Sequence, residues 1–207
     1  QTDYDGLGHV VQTRELRGEA SDPDGWEVTD IRYDLLGREV AHSAPDFVDF
    51  RGVLVRPATE LECDGLGRVE RRIQRGTTAG SEADDRITGY RYDGNGRLVE
   101  ETDAAGAVTR YAYDAAGHLA LRTAVAVRRS DGSSRDLATR YGYDQAGRVV
   151  AETDFDTGEL RRTRYNAFGE VSGRGLGDGW QEFAEYTTLG KVWKTNAGDG
   201  AVTAYNA

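Results

Sequence analysis

The chain has 207 residues, of which 38% are hydrophobic and 30% charged, with 27 Gly, 3 Pro and no Met. A mean hydropathy of -0.66 leaves too little apolar material for a thick two-sided core, and the abundant glycine favours tight turns and short strands over helices. A net charge of -10 and a pI near 4.8 argue against nucleic acid as a partner, since phosphate binding depends on Lys and Arg.

Cys63 is the single cysteine, so no internal disulfide can form. No apolar run approaches the roughly 18 residues of a membrane-spanning helix, and "QTDYDGLGHV" at the start has neither the basic nor the apolar region of a signal peptide. The absence of an initiating Met leads us to expect a piece of a longer chain.

Taken in chain order, one pattern recurs. It appears as "YDGLGHV" at 4, "YDLLGREV" at 33, "CDGLGRV" at 63, "YDGNGRL" at 92, "YDAAGHL" at 113, "YDQAGRV" at 143, "YNAFGEV" at 165 and "YTTLGKV" at 186, and "YNA" at 205 opens another. The steps between copies are 29, 30, 29, 21, 30, 22, 21 and 19 residues, which define a unit of 21 residues or so, lengthened in several copies. Residues 1–207 are therefore read as one repeat segment, whose last copy stops inside its turn.

Within a copy, Asp or Asn at i and Gly at i+3 is the signature of a type I turn whose Gly adopts φ > 0 and closes a hairpin with a bulge. The expected turn residues are Tyr4, Asp5 and Gly8; Tyr33, Asp34 and Gly37; Asp64 and Gly67; Tyr92, Asp93 and Gly96; Tyr113, Asp114 and Gly117; Tyr143, Asp144 and Gly147; Tyr165, Asn166 and Gly169; and Tyr186 and Gly190. Each Tyr should face an apolar residue six positions on, as Tyr92 faces Leu98. Copy two places Glu39 there and Val40 one place late, which predicts a local bulge or slip.

A second turn, Asp103 to Gly106 in "TDAAGAVTRYAYD", separates a strand over 97–102 from one over 107–113. Alternation then predicts Thr109, Tyr111, Tyr113, Leu119 and Leu121 on one face, with Arg110, Ala112, Asp114, His118 and Arg122 on the other. The insertions at 49–64 and 121–144 read as longer hairpins. The fold class is all-β: an antiparallel up-and-down meander of hairpins in a single curved sheet.

The copies "YDxxGR[LV]", joined by "TDxxGxxTxYxYD", resemble the YD repeats of the Rhs family of bacterial proteins, a pattern shared with toxin-complex shell proteins and with teneurins. The resemblance covers essentially the entire chain. It implies a long sheet wound into a hollow shell that encloses a toxic C-terminal domain of a secreted or cell-surface bacterial protein. The implied partners are the rest of the parent chain and that enclosed domain. Departures are Cys63 for Tyr, Asn166 and Thr187 for Asp, and His9 and His118 for Arg. The self-cleavage known in some members maps onto no residue here.

Chemical readings find less support. His9, His42 and His118 have no Ser or Cys partner in a nucleophile motif, and Cys63 replaces a repeated Tyr, as a packed thiol would. "DFDTGE" at 154–159 and "SDPDGWE" at 21–27 open like calcium loops but lack the full ligand run. "GRGLGDG" at 173–179 lacks the following helix of a phosphate cradle and reads as a flexible connection. We expect no catalytic residue, cofactor or metal. A structural shell segment is the leading reading. An adhesion or carbohydrate-binding module using Trp26, Trp180 and Trp193 is second, and an enzyme is last. Two unpaired sheet edges predict edge-to-edge association of the isolated segment.

Overall fold

The computed structural model describes residues 1–16, 25–76, 84–196 and 202–204. The "YNA" copy at 205 and most of "SDPDGWE" lie outside them. Among the described residues there are nineteen strands and no helix, so the all-β antiparallel meander is the architecture. The chain divides into two compact units, residues 1–106 and 107–207.

The first unit contains β1 (Thr2–Tyr4), β2 (Val10–Leu16), β3 (Trp26–Tyr33), β4 (Glu39–Ser43), β5 (Phe47–Val48), β6 (Leu54–Val55), β7 (Ala58–Cys63), β8 (Val69–Gln74), β9 (Arg86–Tyr92) and β10 (Leu98–Thr102). Its ladder runs up and down in sequence order, with one detour: β4 pairs with β7, and β5 pairs only with β6. Residues 47–55 thus form a separate short hairpin and 58–63 rejoin the ladder as β7, where one longer strand pair was expected. Pro45 and Pro57 flank it, and neither can donate to a ladder. The Pro57 carbonyl instead accepts from the Ala44 amide at 2.7 Å, which closes the detour.

The second unit contains β11 (Val108–Tyr113), β12 (Leu119–Arg128), β13 (Ser134–Tyr143), β14 (Val149–Asp154), β15 (Leu160–Tyr165), β16 (Val171–Leu176), β17 (Gly179–Tyr186), β18 (Val192–Thr195) and β19 (Thr203–Ala204). Each pairs antiparallel with the next. The insertion at 121–144 is the long hairpin of β12 and β13, each 10 residues. "GRGLGDG" is largely strand: 173–176 belongs to β16, and Gly177–Asp178 is a two-residue loop. Gly177, at φ 58, occupies the first central position that a type II′ turn gives to glycine. That tight turn replaces the flexible connection expected from the glycines.

Copy two is no exception in register. Tyr33 faces Glu39 as Tyr92 faces Leu98 and Tyr143 faces Val149, and in each copy the next pair skips one residue on the outgoing strand. The bulge predicted for copy two alone is a feature of the repeat. It also overturns the face assignment beyond Leu119. Ala120 is the extra residue, so Leu121 lies opposite Ala112 and Arg122 opposite Tyr111. Directly opposed residues share a face, which puts Leu121 with Ala112 and Arg122 with the tyrosines.

Little is fully buried. Among the described residues the buried non-glycine side chains are Ala41, Ser43, Val55 and Ile73. Ala41, Glu60, Ile73 and Ile87 form one cross-strand row. Arg56, next to Val55, is salt-bridged to Asp46 at 2.7 Å and feels the carboxylate of Asp30, near the strand carrying Ala41. A charged chain crosses the same face, from Arg32 to Glu60 at 3.0 Å, Glu60 to Arg75 at 2.6 Å and Arg75 to Asp85 at 2.7 Å. The fold therefore draws its cohesion from ladders, turns and half-buried pairs more than from a core.

Two substitutions test the backbone reading. Gly96 has φ 80, and a Cβ there would meet Arg68 Nη1 at an ordinary 3.9 Å, so Gly96→Ala should cost about 1 to 2 kcal/mol through left-handed strain alone. An unchanged thermal melt would refute that turn. Ala126 sits at φ 52 in the bulge of β12, and Ala126→Gly should stabilise by about 0.5 kcal/mol once glycine's entropy is offset. A lower melting temperature would show that the position is unstrained.

Candidate functional site

The repeated Tyr-Asp turn is the one polar constellation that recurs along the chain, and its geometry explains each residue. In copy four, Asp93 Oδ1 accepts from the Asn95 and Arg97 amides, both at 2.9 Å. Its Oδ2 accepts from Arg97 Nε at 2.8 Å. The Gly96 amide donates to the Asp93 carbonyl at 3.0 Å, with φ 80. One carboxylate thereby fixes both the turn and the direction of the cation four residues on. Asp5, Asp34, Asp64, Asp114 and Asp144 make the same backbone contacts, each with an amide two residues and an amide four residues ahead. The positive-φ glycines Gly8, Gly37, Gly67, Gly117, Gly147, Gly169 and Gly190 close these turns.

At four of these turns the cation held by Asp serves the next repeat. Arg68, whose Nε donates to Asp64 at 2.6 Å, lies over the Tyr92 ring at 4.8 Å. Arg148, held by Asp144 at 2.8 Å, lies over Tyr165 at 4.4 Å. His9 and His118 do the same work with an imidazole, stacking on Tyr33 and Tyr143 at 4.7 Å while Nδ1 faces Asp5 at 2.9 Å and Asp114 at 3.3 Å.

The tyrosine then reaches back. Tyr92 donates its hydroxyl to the Val69 carbonyl at 2.9 Å, Tyr33 to Val10 at 3.0 Å and Tyr143 to Leu119 at 2.8 Å. Tyr165 reaches Val149 at 3.1 Å, and Tyr186 reaches Val171 at 2.8 Å. Each acceptor is the residue facing the preceding copy's own Tyr position. At Tyr33, Tyr92, Tyr143 and Tyr165 consecutive hairpins are thus joined by a ring that is clasped on its face and hydrogen-bonded at its tip.

The departures from the motif compensate locally. Asn166 keeps the turn, accepting from the Phe168 and Glu170 amides at 2.9 and 3.1 Å. Its amide donates to Glu170 Oε2 at 2.6 Å, so the Asp and Arg polarity is reversed at that pair. Thr187 accepts from the Leu189 and Lys191 amides at 3.3 and 3.2 Å, a longer version of the same turn. Cys63 leaves no ring for Arg38, whose guanidinium instead crowds the next turn, where a Cβ on Gly67 would collide with it.

Asp103 and Gly106 make the second turn, with the Ala105 amide on Asp103 Oδ1 and the Gly106 amide on the Asp103 carbonyl, each at 2.9 Å. Sequence inspection missed one further Asp-x-x-Gly turn. Asp49 accepts from the Arg51 and Val53 amides at 2.9 Å, and Gly52 has φ 79. The spacing in "DFRG" signals it, but Val48 stands where the other copies carry Tyr.

The tempting chemical residues are accounted for in the same terms. Asp154 accepts from the Asp156 and Thr157 amides at 2.7 and 3.0 Å, so "DFDTGE" forms a backbone turn. His42 pairs with Glu39 at 3.1 Å. Among the described residues no group of three or more His, Cys, Asp or Glu could hold a metal ion, and no helix is long and apolar enough to cross a membrane. Trp180 lies within cation–π distance of two arginines, with Arg162 at 5.2 Å and Arg164 at 4.9 Å.

These parts make a tandem array of interlocked β-hairpins. The family model described as RHS Repeat matches residues 64–108 and 92–133, and the copies at 4, 33 and 143 outside that span carry the same Tyr-Asp turn. Residues 64–133 therefore carry repeats of the Rhs type. A chain of the Photorhabdus luminescens Tc holotoxin pore matches 99% of it at 16% identity and a TM-score of 0.53, a likeness of fold alone. The crystal structure of TcdB2-TccC3 matches 94% of it at 17% identity with a TM-score of 0.38. A porin-like protein from Bacteroides uniformis matches 94% of this chain and 92% of its own length at 11% identity, again with a TM-score of 0.38. Scores as low as these two carry no argument. The chain spans 13% of each matched toxin-complex chain, and no curated protein matches it.

Three measurements test the interlock. Tyr92→Phe should cost about 1 kcal/mol by orphaning the Val69 carbonyl, and an unchanged denaturant midpoint would remove the hydroxyl from the account. Cys63→Tyr should gain about 1 kcal/mol by restoring a ring for Arg38; a loss would mean that the repacked arginine excludes it.

The third is pH dependence. The Arg97 amide and then its guanidinium hold the Asp93 carboxyl below its ordinary value of 3.8, and Asp5, Asp34, Asp64, Asp114 and Asp144 shift the same way. A depressed folded-state value gives stability that is present above the ordinary value and lost as pH falls through the folded one. Melting temperature should therefore fall as pH drops below about 4, and the drop should shrink in Asp93→Asn with Asp144→Asn. A drop of equal size in the variant would assign the acid sensitivity elsewhere.

Proposed function

We propose that this chain is part of the wall of an Rhs-type shell that encloses and shields a C-terminal toxin payload within a larger exported bacterial protein. One observation carries the reading: the recurring polar residues are committed to the wall itself. Asp fixes a turn and a cation, the cation clasps the next Tyr, and Tyr binds back to the preceding strand. Little recurring chemistry is left over to act on a substrate.

The mechanism is steric enclosure. A wall one sheet thick keeps most side chains half-exposed, as these are, and does not need the deep core of a sandwich. The net charge of -10 suits a basic cargo through long-range attraction. The partners in this reading are the remainder of the parent chain and the payload.

Limited proteolysis of the intact parent protein tests it. The payload should stay uncut while the wall is intact and become cleavable when Arg68→Ala and Arg148→Ala loosen two interlocks. Cleavage of the payload at the same rate in both proteins would overturn enclosure.

A further inference from the structure

Strands β15 to β17 carry a feature that wall building does not use. Arg162 and Arg164 are two apart on β15, and the register sets them opposite Gly175 and Gly173 of β16. Those two glycines are buried. Trp180, opposite Gly175 on the next strand, crosses them to reach both arginines, with their guanidinium carbons 5.2 and 4.9 Å from its ring centre.

The glycines are required by this arrangement. A Cβ on Gly173 would come within 3.3 Å of the Trp180 ring, and one on Gly175 would meet the ring at 3.2 Å and the Gly179 carbonyl at 2.5 Å. The indole therefore lies on bare backbone as a platform, 44% exposed, beside two cations.

The charge pattern is unusual for so acidic a chain. Arg161 pairs with Glu159 at 2.5 Å and Arg174 with Glu182 at 3.5 Å. Arg162 and Arg164, by contrast, share one aromatic ring, and no carboxylate lies within ion-pair distance of either among the described residues. The Nε and Nη2 of Arg162 are buried without a hydrogen-bond partner. Leaving such donors unfilled is costly, and two like charges on one ring add repulsion that an anion would remove.

We propose that Arg162, Arg164 and Trp180 form a binding site for an acidic peptide segment, whose carboxylates take the guanidinium donors while its backbone or side chains rest on the indole. A planar fork of donors matches a carboxylate, and an exposed tryptophan gives a peptide apolar area at low entropic cost. The chain's overall negative charge disfavours a long polyanion such as RNA, which would meet repulsion beyond the patch. The site is independent of the shell reading, because an acidic segment of any partner would satisfy it.

The test titrates the full chain, carrying Trp26→Phe and Trp193→Phe so that Trp180 alone reports, with a hexaglutamate peptide at low ionic strength. We expect a saturable fluorescence change, weakened about ten- to a hundredfold by Arg162→Gln and weakened also by Arg162→Lys, which keeps the charge but loses the fork. Circular dichroism melts of both variants establish that they are folded. No saturable change in the parent, or equal affinity in folded Arg162→Gln, overturns the proposal. Inorganic phosphate acting at the same concentration as the peptide, or an RNA oligonucleotide binding more tightly, overturns it in favour of a general anion site or a nucleic-acid site.

Discussion

Six of the eight turns depend on a carboxylate that holds two backbone amides and the cation four residues on. Asp93 holds two backbone amides with one oxygen and the Arg97 guanidinium with the other, so the turn and the orientation of the cation are set by the same group. Because the equivalent cation of the preceding copy lies on the ring of Tyr92, a local turn becomes a contact between hairpins. The tyrosine hydroxyl converts that contact into a directional bond. A single exposed cation–π pair contributes only about 0.5 to 1 kcal/mol. Repetition of the set along the chain makes a stable object from weak members, as in other one-dimensional arrays.

That dependence explains which replacements the chain accepts. Histidine substitutes for arginine at His9 and His118 because an imidazole can both face the Asp and stack on a ring. Asparagine substitutes for aspartate at 166 only alongside Glu170, because the amide must donate where the carboxylate accepted. The turn glycine is kept in all eight copies, since its φ lies where a side chain would be strained.

Much of this was legible in the sequence. The spacing from Asp93 to Gly96 specifies a turn, and the apolar residue six after Tyr specifies the facing strand. The bulge after each Tyr pair was legible only in copy two, where Glu39 drew attention to it, because elsewhere the neighbours Leu98 and Val99, or Val149 and Val150, are both apolar and hide the extra residue. Alternation counted through Ala120 consequently put Leu121 on the wrong face. The detour of β5 and β6 was hidden because apolar alternation reads the same in a long strand and a short one, while Pro45 and Pro57 carried the relevant information. The link from Arg68 to Tyr92 spans two strands, a distance no local pattern encodes, and the platform of Trp180 needed the register to show that Gly173 and Gly175 lie beneath it.

The hydroxyl bonds all point one way. Tyr33, Tyr92, Tyr143, Tyr165 and Tyr186 each reach toward the N-terminal neighbour, to the carbonyl of the residue facing that hairpin's own Tyr position. A ribosome releases a chain in that same direction, N-terminal segments first. A newly emerging hairpin that carries one of these five tyrosines therefore meets an acceptor that is already in position, and it can dock during synthesis without waiting for residues that do not yet exist.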